Sequence, residues 1–250
     1  MKIGIITGAS SGLGKEFVKQ SLKAFPEIEE FWLVARREEK IRKNVESLDG
    51  AKFKIVPFDL AKDDSYKEFS ALLKEENPDI KLLINNAGLG FWGAVKELPV
   101  HQQINSVDVN VKAVSALTAI CLQYMKENAR IIFVSSIASF VPNAYMTVYS
   151  ATKAYINSYA RALRYELKKQ KISVTIVCPG PMDTEFIERG GVRSKTFKKL
   201  PYCNVEKVVK GTLKAAKKRK FVYTNKLFYK FYRVLAKILP TAWLVPVAKT

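Results

Sequence analysis

A tyrosine and a lysine lie four residues apart, as Tyr149 and Lys153, in a stretch with apolar helical patterning. On a helix this spacing puts both side chains on one face. An unperturbed phenol has a pKa of about 10, and a nearby ammonium group lowers that pKa because it stabilises the phenolate. A shift of about three units needs about 4 kcal/mol, which one charge at about 4 Å supplies at an effective dielectric constant of about 20. The pair predicts a proton donor and acceptor for neutral pH, although solvated helices carry the same spacing.

A glycine-rich turn follows the first apolar segment of the chain. The segment Lys2-Ile3-Gly4-Ile5-Ile6 predicts a buried strand, and helical patterning begins near Lys15. Between them lies Thr7-Gly8-Ala9-Ser10-Ser11-Gly12-Leu13-Gly14, with the spacing T-G-x-x-x-G-x-G. A strand, a glycine turn and a helix form the setting of a dinucleotide-binding site, because glycines let the backbone approach a pyrophosphate at the helix N-terminus. A tight turn that binds nothing is the alternative.

With these two features the chain resembles the short-chain dehydrogenase/reductase family over about residues 1–220. Four further family motifs occur in the same order: Asn-Asn-Ala-Gly at 85–88, Asp-Val-Asn-Val at 108–111, a strand with a serine pair at 131–136, and a Pro-Gly turn at 179–184. The resemblance implies an NADP(H)-preferring, carbonyl reductase-like enzyme that interconverts a carbonyl and a secondary alcohol, with the cofactor carrying the hydride. A catalytically weak dinucleotide-binding sensor or scaffold is the alternative.

The resemblance also implies a role for each catalytic position. Tyr149 would exchange the proton with the substrate oxygen, and Ser136 would hydrogen-bond the same oxygen, with Ser135 as the competing serine. Lys153 would lower the pKa of Tyr149 and bind the nicotinamide ribose. Asn110 would hold a water that links Lys153 to solvent.

The cofactor preference follows from the end of the second predicted strand, Leu33-Val34-Ala35-Arg36-Arg37. An acidic residue there binds the 2′-hydroxyl of NAD, but Ala35 occupies the position where NAD-preferring relatives usually have aspartate. Arg36 and Arg37 follow, and a guanidinium group binds a phosphate with two parallel hydrogen bonds. NADP(H) is therefore favoured over NAD(H), and two solvated arginines are the alternative.

The other cofactor contacts are implied by the resemblance. They comprise the phosphate turn, the residues near adenine, those near the adenosine ribose and those that cover the nicotinamide. In that order they are Gly8, Ser10, Ser11, Gly12, Leu13 and Gly14; Asp59 and Leu60; Asn86, Ala87 and Gly88; and Pro179, Gly180, Met182 and Thr184.

The substrate is less determined by the sequence. In the family, the region at 184–204 is a lid, and here it mixes apolar with basic side chains. That mixture suits an amphipathic or anionic substrate, and a solvated loop is the alternative. Phe91 and Trp92 are expected to supply an apolar wall. The apolar residues of the lid are Phe186, Ile187, Phe197 and Tyr202, beside Arg189, Arg193, Lys195, Lys198 and Lys199.

These side chains require an α/β scaffold. Apolar runs alternate with amphipathic helical stretches through the 250 residues, which predicts one Rossmann-type, doubly wound parallel sheet with helices on both faces. The domain is predicted over 1–223, with a C-terminal extension at 224–250. Strands are expected near 2–6, 31–35, 53–57, 80–84, 131–135, 172–177 and 220–223, and helices near 12–25, 38–49, 62–76, 100–127, 149–169 and 204–218.

The C-terminal extension is basic and amphipathic. The chain has a formal net charge of +19, and twelve basic residues but no acidic residue follow Glu206. Lys226, Lys230, Arg233 and Lys237 recur at helical spacing opposite apolar positions, a pattern of helices that lie on anionic membranes. The apolar stretch is too short to span a bilayer. Packing on the domain or on a partner subunit is the alternative, and nucleic-acid binding is disfavoured because no recognition motif accompanies the charge.

Several further expectations concern the setting of the protein. Met1 leads directly into the first strand, which leaves no room for a signal peptide. The three cysteines, Cys121, Cys178 and Cys203, show no metal or redox spacing, which predicts a reduced cytoplasmic protein without a metal site. A dimer or tetramer is expected through the helices at 100–127 and 149–169, the pairing surfaces of the family.

Overall fold

A computed structural model describes residues 1–191 and 200–248. Its centre is a seven-stranded parallel sheet with the strand order β3-β2-β1-β4-β5-β6-β7. The predicted fold class is thereby confirmed, with every predicted strand present within two residues of its expected ends. The strands are β1 (Lys2–Thr7), β2 (Glu30–Val34), β3 (Lys52–Val56), β4 (Asp79–Asn85), β5 (Arg130–Val134), β6 (Ser173–Val177) and β7 (Val222–Tyr223).

Helices connect the strands and cover the sheet. The strand order reverses between β1 and β4, and in such sheets the crevice for ligands opens outside the carboxyl ends of the strands at that point. In the described residues the helices are α1 (Gly12–Ala24), α2 (Glu38–Val45), α3 (Asp64–Glu76), α4 (Val100–Val107), α5 (Ala113–Leu122), α6 (Thr147–Glu166), α7 (Glu185–Gly190), α8 (Val205–Lys217), α9 (Leu227–Ile238) and α10 (Thr241–Leu244).

The sheet is buried on both faces. Along β1, Ile3 and Ile5 pack with Trp32 into one apolar cluster, whereas Ile6 packs with Leu33 and Leu82 into a second cluster. Side chains alternate between the faces of a strand, so a strand buried on both sides needs a continuous apolar run. This explains why the apolar runs in the sequence predicted the strands.

Three predicted helices differ from the structure by more than two residues at one end, and one of them, expected at 149–169, ends at Glu166. The helix expected at 38–49 ends at Val45. The one expected at 100–127 consists of α4, a π-helical turn over Asp108–Lys112, and α5, which ends at Leu122. The π-helical turn contains Asn110, whose side chain reaches out of the helix to the backbone of Leu89. Such turns concentrate at functional sites.

The region expected to form a lid is described in part. Helix α7 was not foreseen, and Gly191 ends it in the left-handed conformation that glycine adopts without strain. Five residues named for the lid, Arg193, Lys195, Phe197, Lys198 and Lys199, lie outside the described residues.

The C-terminal segment contains the helix that the pattern predicted. Asn204 caps the preceding α8 by accepting a hydrogen bond from Lys207 N at 2.9 Å. After β7 the chain forms α9, and Pro240 separates it from α10. Within residues 1–191 and 200–248, no helix is both long and apolar enough to cross a membrane.

Candidate active site

A cavity of about 270 Å³ opens at the carboxyl ends of the strands, next to the reversal of strand order. Nearly every residue predicted for cofactor and catalysis lines it; the exceptions are Gly14 and Asn110. The lining includes Gly8, Ser10, Ser11, Gly12, Leu13, Arg36, Arg37, Asp59, Leu60, Asn86, Ala87, Gly88, Ser135, Ser136, Tyr149, Lys153, Pro179, Gly180, Met182 and Thr184.

The glycine turn is shaped by backbone that only glycine accepts readily. Gly8 and Gly12 have φ angles of +68° and +52°, the left-handed region in which a Cβ is strained. Gly14 lies one turn into α1, where a Cβ would collide with the carbonyl oxygen of Gly8. Gly14 therefore allows the helix to pack closely on the turn, while Gly8 and Gly12 face the cavity.

The end of β4 is fastened to the end of β1. The Thr7 hydroxyl accepts hydrogen bonds from the backbone N–H groups of Asn86 and Ala87, each at 3.0 Å. The Asn86 amide in turn donates to Thr7 O at 2.9 Å. The side chain of Asn86 is thus occupied in holding the two strand ends together, and its backbone faces the cavity.

The two arginines after β2 have different surroundings. Arg37 donates to the hydroxyls of Ser10 and Ser11, each at 3.0 Å, and to Glu185 at 2.9 Å. Arg36 lies 3.9 Å from Asp59, and its side chain is 57% exposed. Arg36 is therefore the guanidinium that is free to turn toward a ligand, whereas Arg37 is already engaged by protein groups.

Glu185 was not foreseen as part of this site. It binds Lys40 of α2 as well as Arg37 and Arg189. The hydrogen bond from Lys40 and those from Arg37 lower the pKa of Glu185 to about 2. This cluster ties α7 to the turn after β2.

Tyr149 lies in the first turns of α6, is 8% exposed, and is hydrogen-bonded to Ser136. Burial raises the pKa of Tyr149 to about 12, and the hydrogen bond from Ser136 acts in the opposite direction. The expectation that Lys153 brings this pKa toward neutrality is not what the structure displays, because desolvation of the phenol outweighs every other influence.

Lys153 is buried one turn further along α6. Its Nζ donates to Val134 O at 2.9 Å and lies 5.7 Å from the centre of the Tyr149 ring. Burial lowers the pKa of Lys153 to about 8, since desolvation disfavours the charged form. The ammonium group thus stands at the cavity wall beside the phenol.

The two serines after β5 face different partners. The Ser135 hydroxyl donates to Lys153 O at 3.1 Å and is fully buried. Ser136 Oγ accepts a hydrogen bond from Ala138 N at 3.1 Å and contacts Tyr149. Ser135 therefore fastens α6 to the sheet, and Ser136 is the serine that stands beside the phenol.

Asn110 supports the site from behind. Its Oδ1 accepts from Leu89 N at 2.8 Å, and its Nδ2 donates to Leu89 O at 2.7 Å and to Thr152 Oγ1 at 3.0 Å. These bonds occupy both amide protons. Gly88 borders the gap between Asn110 and Lys153, because a Cβ at Gly88 would lie 3.3 Å from both Asn110 Oδ1 and Lys153 Nζ.

Aromatic side chains flank the phenol. The rings of Phe186 and Trp92 have centres 5.4 Å and 6.4 Å from that of Tyr149. Gly90 allows this packing, since a Cβ there would come within 2.8 Å of both Phe186 and Tyr149 side-chain atoms. Trp92 thus forms the expected apolar wall, but Phe91 does not line the cavity.

The C-terminal helix also contributes to this edge of the sheet, which the sequence did not reveal. Tyr229 of α9 is fully buried and donates to Pro201 O at 2.8 Å. Its ring occupies the space in which a Cβ of Gly180 would stand. On the next turn, the ring of Tyr232 lies 6.0 Å from that of Phe140. Helix α9 therefore braces the turn that follows β6.

The arrangement can position a polar ligand and exchange one proton with it. The cavity offers glycine backbone at a helix N-terminus, an exposed guanidinium group, and a buried phenol paired with a hydroxyl. Across the described ranges, no group of three or more His, Cys, Asp or Glu side chains is placed to hold a metal ion.

Comparison with known proteins gives consistent matches. A family model described as short chain dehydrogenase matches residues 2–191. An uncharacterized oxidoreductase of Staphylococcus epidermidis is 28% identical over 210 residues, which cover 83% of this chain and 89% of that protein.

Among solved structures, a short-chain dehydrogenase from Sphingobium yanoikuyae in complex with NADPH is 25% identical with a TM-score of 0.79, covering 91% of this chain and 88% of that one. A short chain dehydrogenase/reductase from Burkholderia phymatum in complex with NAD shares the fold at 21% identity with a TM-score of 0.80, covering 94% and 92%.

Proposed function

This chain belongs to the short-chain dehydrogenase family, and on that premise we propose that it is an NADP(H)-dependent oxidoreductase which interconverts a carbonyl and a secondary alcohol. The substrate is small or lipid-like. The observation that carries the proposal is the hydrogen bond between Ser136 and the buried phenol of Tyr149 at the wall of the cavity.

The residues present fit a dinucleotide. The positive φ angles of Gly8 and Gly12 leave the N-terminus of α1 open to an anion, and Gly88 leaves space in front of Lys153. The ammonium group of Lys153 is placed to bind the ribose. When bound, the nicotinamide supplies or accepts the hydride.

Proton transfer is the task of Tyr149. Its pKa of about 12 keeps the proton on the phenol at neutral pH, so that the oxygen of a reduced carbonyl takes it only once that oxygen has become negative. Ser136 Oγ accepts a bond from Ala138 N, and its proton, which meets the phenol in this structure, would turn to the substrate oxygen when a substrate binds. Asn110 holds Leu89 and Thr152 in place behind this pair. We propose that it also binds a water molecule near Gly88.

Replacement of Tyr149 by phenylalanine tests the reaction. Tyr149→Phe keeps the ring and removes the transferable proton, so we expect carbonyl reduction to fall by about 10²–10⁴-fold with cofactor binding retained. Tyr155→Phe is the matched control, because Tyr155 lies on the same helix with its hydroxyl on Ser115 and outside the cavity. Near-normal turnover in Tyr149→Phe contradicts the assignment. If the native protein binds NADPH but reduces no carbonyl compound in a broad panel, the result supports the alternative, a catalytically weak dinucleotide-binding sensor or scaffold.

The preference for NADP(H) is the second part of the proposal. Ala35 offers no carboxylate to the ribose, and Arg36 is exposed at the cavity edge. Arg36→Asp replaces attraction by repulsion at the 2′-phosphate, so NADP(H) binding weakens more than NAD(H) binding. Arg42→Asp is the control, because Arg42 pairs with Glu38 away from the cavity. If a fluorescence titration of Arg36→Asp shows equal losses of affinity for NADP(H) and NAD(H), Arg36 does not bind the 2′-phosphate.

The remaining parts of the proposal concern the domain organisation, the oligomeric state and the cellular location. We propose a catalytic domain at 1–223 with a lid at 184–204 and an extension at 224–250. Val100, Ile104 and Val107 of α4 expose apolar side chains, which supports a homo-oligomer through α4 to α6. A cytoplasmic protein in peripheral contact with an anionic membrane completes the proposal. Sedimentation equilibrium of the purified chain tests the oligomer.

A further inference from the structure

The outer face of α9 carries a row of apolar side chains that nothing in the described protein covers. The row consists of Leu227, Phe231, Val234 and Ile238, here called the ridge, with exposures of 81%, 62%, 49% and 72%. We infer that the ridge docks the protein on an anionic membrane surface and thereby sets the cavity beside the bilayer.

The ridge is a continuous feature of one helix. Its members are spaced by four, three and four residues, which places them in one line along the helix surface. On the opposite face Tyr229 is fully buried against Gly180. Because that face is anchored, the helix does not rotate to hide the ridge, and contiguous exposed apolar surface of this kind marks an interaction site.

The positive charge of α9 indicates which kind of surface the ridge binds. Lys226, Lys230, Arg233 and Lys237 lie on the same helix, and no acidic residue follows Glu206. None of these four cations lies in a salt bridge within the described ranges. A second copy packed ridge to ridge would bring these cations together. An anionic leaflet attracts them instead, and it takes up the apolar side chains beside them.

The segment beyond the ridge adds further exposed apolar side chains. Pro240 ends α9, and the chain continues through Trp243 and Val247, which are 67% and 79% exposed. Tryptophan has an apolar ring with one polar end and is favoured at the boundary of headgroups and acyl chains. A helix of 12 residues with a polar face lies in the plane of such a boundary.

The position of α9 gives the docking a consequence for the site. Gly180 lines the cavity and touches the inner face of α9. The ridge is therefore about one helix diameter, about 10–12 Å, from the cavity wall. This step rests on the proposed function: a docked enzyme receives a carbonyl or alcohol with a long apolar chain from the bilayer.

Vesicle co-sedimentation of the full chain tests the surface without any turnover. We expect the protein to sediment with vesicles of phosphatidylcholine and phosphatidylglycerol at low salt, and to be released as salt screens the lysines. Leu227→Ser with Phe231→Ser removes two apolar side chains that the bilayer would bury, which lowers partitioning by about 10²-fold. Val95→Ser is the control, because Val95 is an exposed apolar residue of the loop before α4 and belongs neither to the ridge nor to the helices of the proposed oligomer.

Each result has a defined meaning once circular dichroism and solution mass have been recorded for every variant. The inference is overturned if the native chain stays in the supernatant with anionic vesicles at low salt, or if the ridge variant binds as tightly as the control. In a further outcome, the ridge variant folds and has a lower solution mass than the native chain in the absence of lipid. That result identifies the ridge as a contact between copies of this chain and overturns the inference as well. Loss of carbonyl turnover in Tyr149→Phe leaves the vesicle result unchanged, so the two proposals fail separately.

Discussion

The cavity and the C-terminal segment provide opposite surroundings for the side chains to which a function is proposed. At the cavity edge, Lys153 and Asn110 are buried and hydrogen-bonded to backbone atoms of other elements. On α9, Leu227 and Phe231 are open to solvent. The first arrangement suits chemistry, which needs groups held in place before the substrate arrives. The second suits adsorption, which needs surface that is free to be covered.

The two regions meet at Gly180 and Tyr229, and removal of that contact has the largest expected effect. Tyr229→Ala leaves a cavity beneath α9, and loss of a buried aromatic side chain costs about 3–5 kcal/mol in the free energy of unfolding. Tyr165→Ala is the control, since Tyr165 is 81% exposed and its loss costs within about 0.5 kcal/mol. Urea denaturation measures both. A cost for Tyr229→Ala no greater than that of the control means that α9 does not brace the turn.

The same contact is tested from the other side by Gly180→Ala. The added methyl group meets the Tyr229 ring, and overpacking of this kind costs about 1–3 kcal/mol. In a Tyr229→Ala background the space is empty, so the cost should fall, with a coupling energy of about 0.5–3 kcal/mol. Additive costs in the double-mutant cycle contradict the contact.

The ion cluster at Glu185 has a smaller expected effect, which depends on pH. Its carboxyl has a pKa of about 2 in the folded protein against an ordinary value of 4.5. The unfolded chain therefore binds more protons between these values, so the stabilisation is complete above pH 4.5 and is lost as the pH falls toward 2. Because the side chain is partly exposed, Glu185→Gln should cost only about 1 kcal/mol at neutral pH.

The measurement for Glu185 is urea denaturation at about pH 7 and about pH 3.5. The difference between the native chain and Glu185→Gln should shrink at the lower pH. Glu188→Gln, which changes an exposed neighbour on the same helix, serves as the reference. If the loss in the free energy of unfolding for Glu185→Gln is the same at both pH values, the effect of the substitution comes from packing and not from charge.

The ridge gives the smallest expected change in stability. Phe231→Ser removes a side chain that is 62% exposed, so the free energy of unfolding in solution should change by no more than about 0.5 kcal/mol. Differential scanning calorimetry without vesicles checks this value. A larger loss means that α9 is covered in solution, and the contrast between the two regions then disappears.

The sequence determined the fold and which residues would meet at the carboxyl edge of the sheet. In a sheet of parallel strands the carboxyl ends share one edge, so residues that follow successive strands, such as Gly8, Asn86 and Ser136, must meet there. Helical spacing placed Tyr149 and Lys153 together by the same kind of local rule. These predictions succeeded because each depends only on a repeat within one element and on its place after a strand.

The tertiary structure alone decided four other properties. The high pKa of Tyr149 and the different surroundings of Arg36 and Arg37 depend on what is packed around them, and spacing along the chain carries no measure of burial. The contact of Tyr229 with Gly180 joins residues from separate elements, an arrangement to which no periodic pattern points. The sequence marked the apolar face of α9, and only the packing of the opposite face revealed which side of the helix is left exposed.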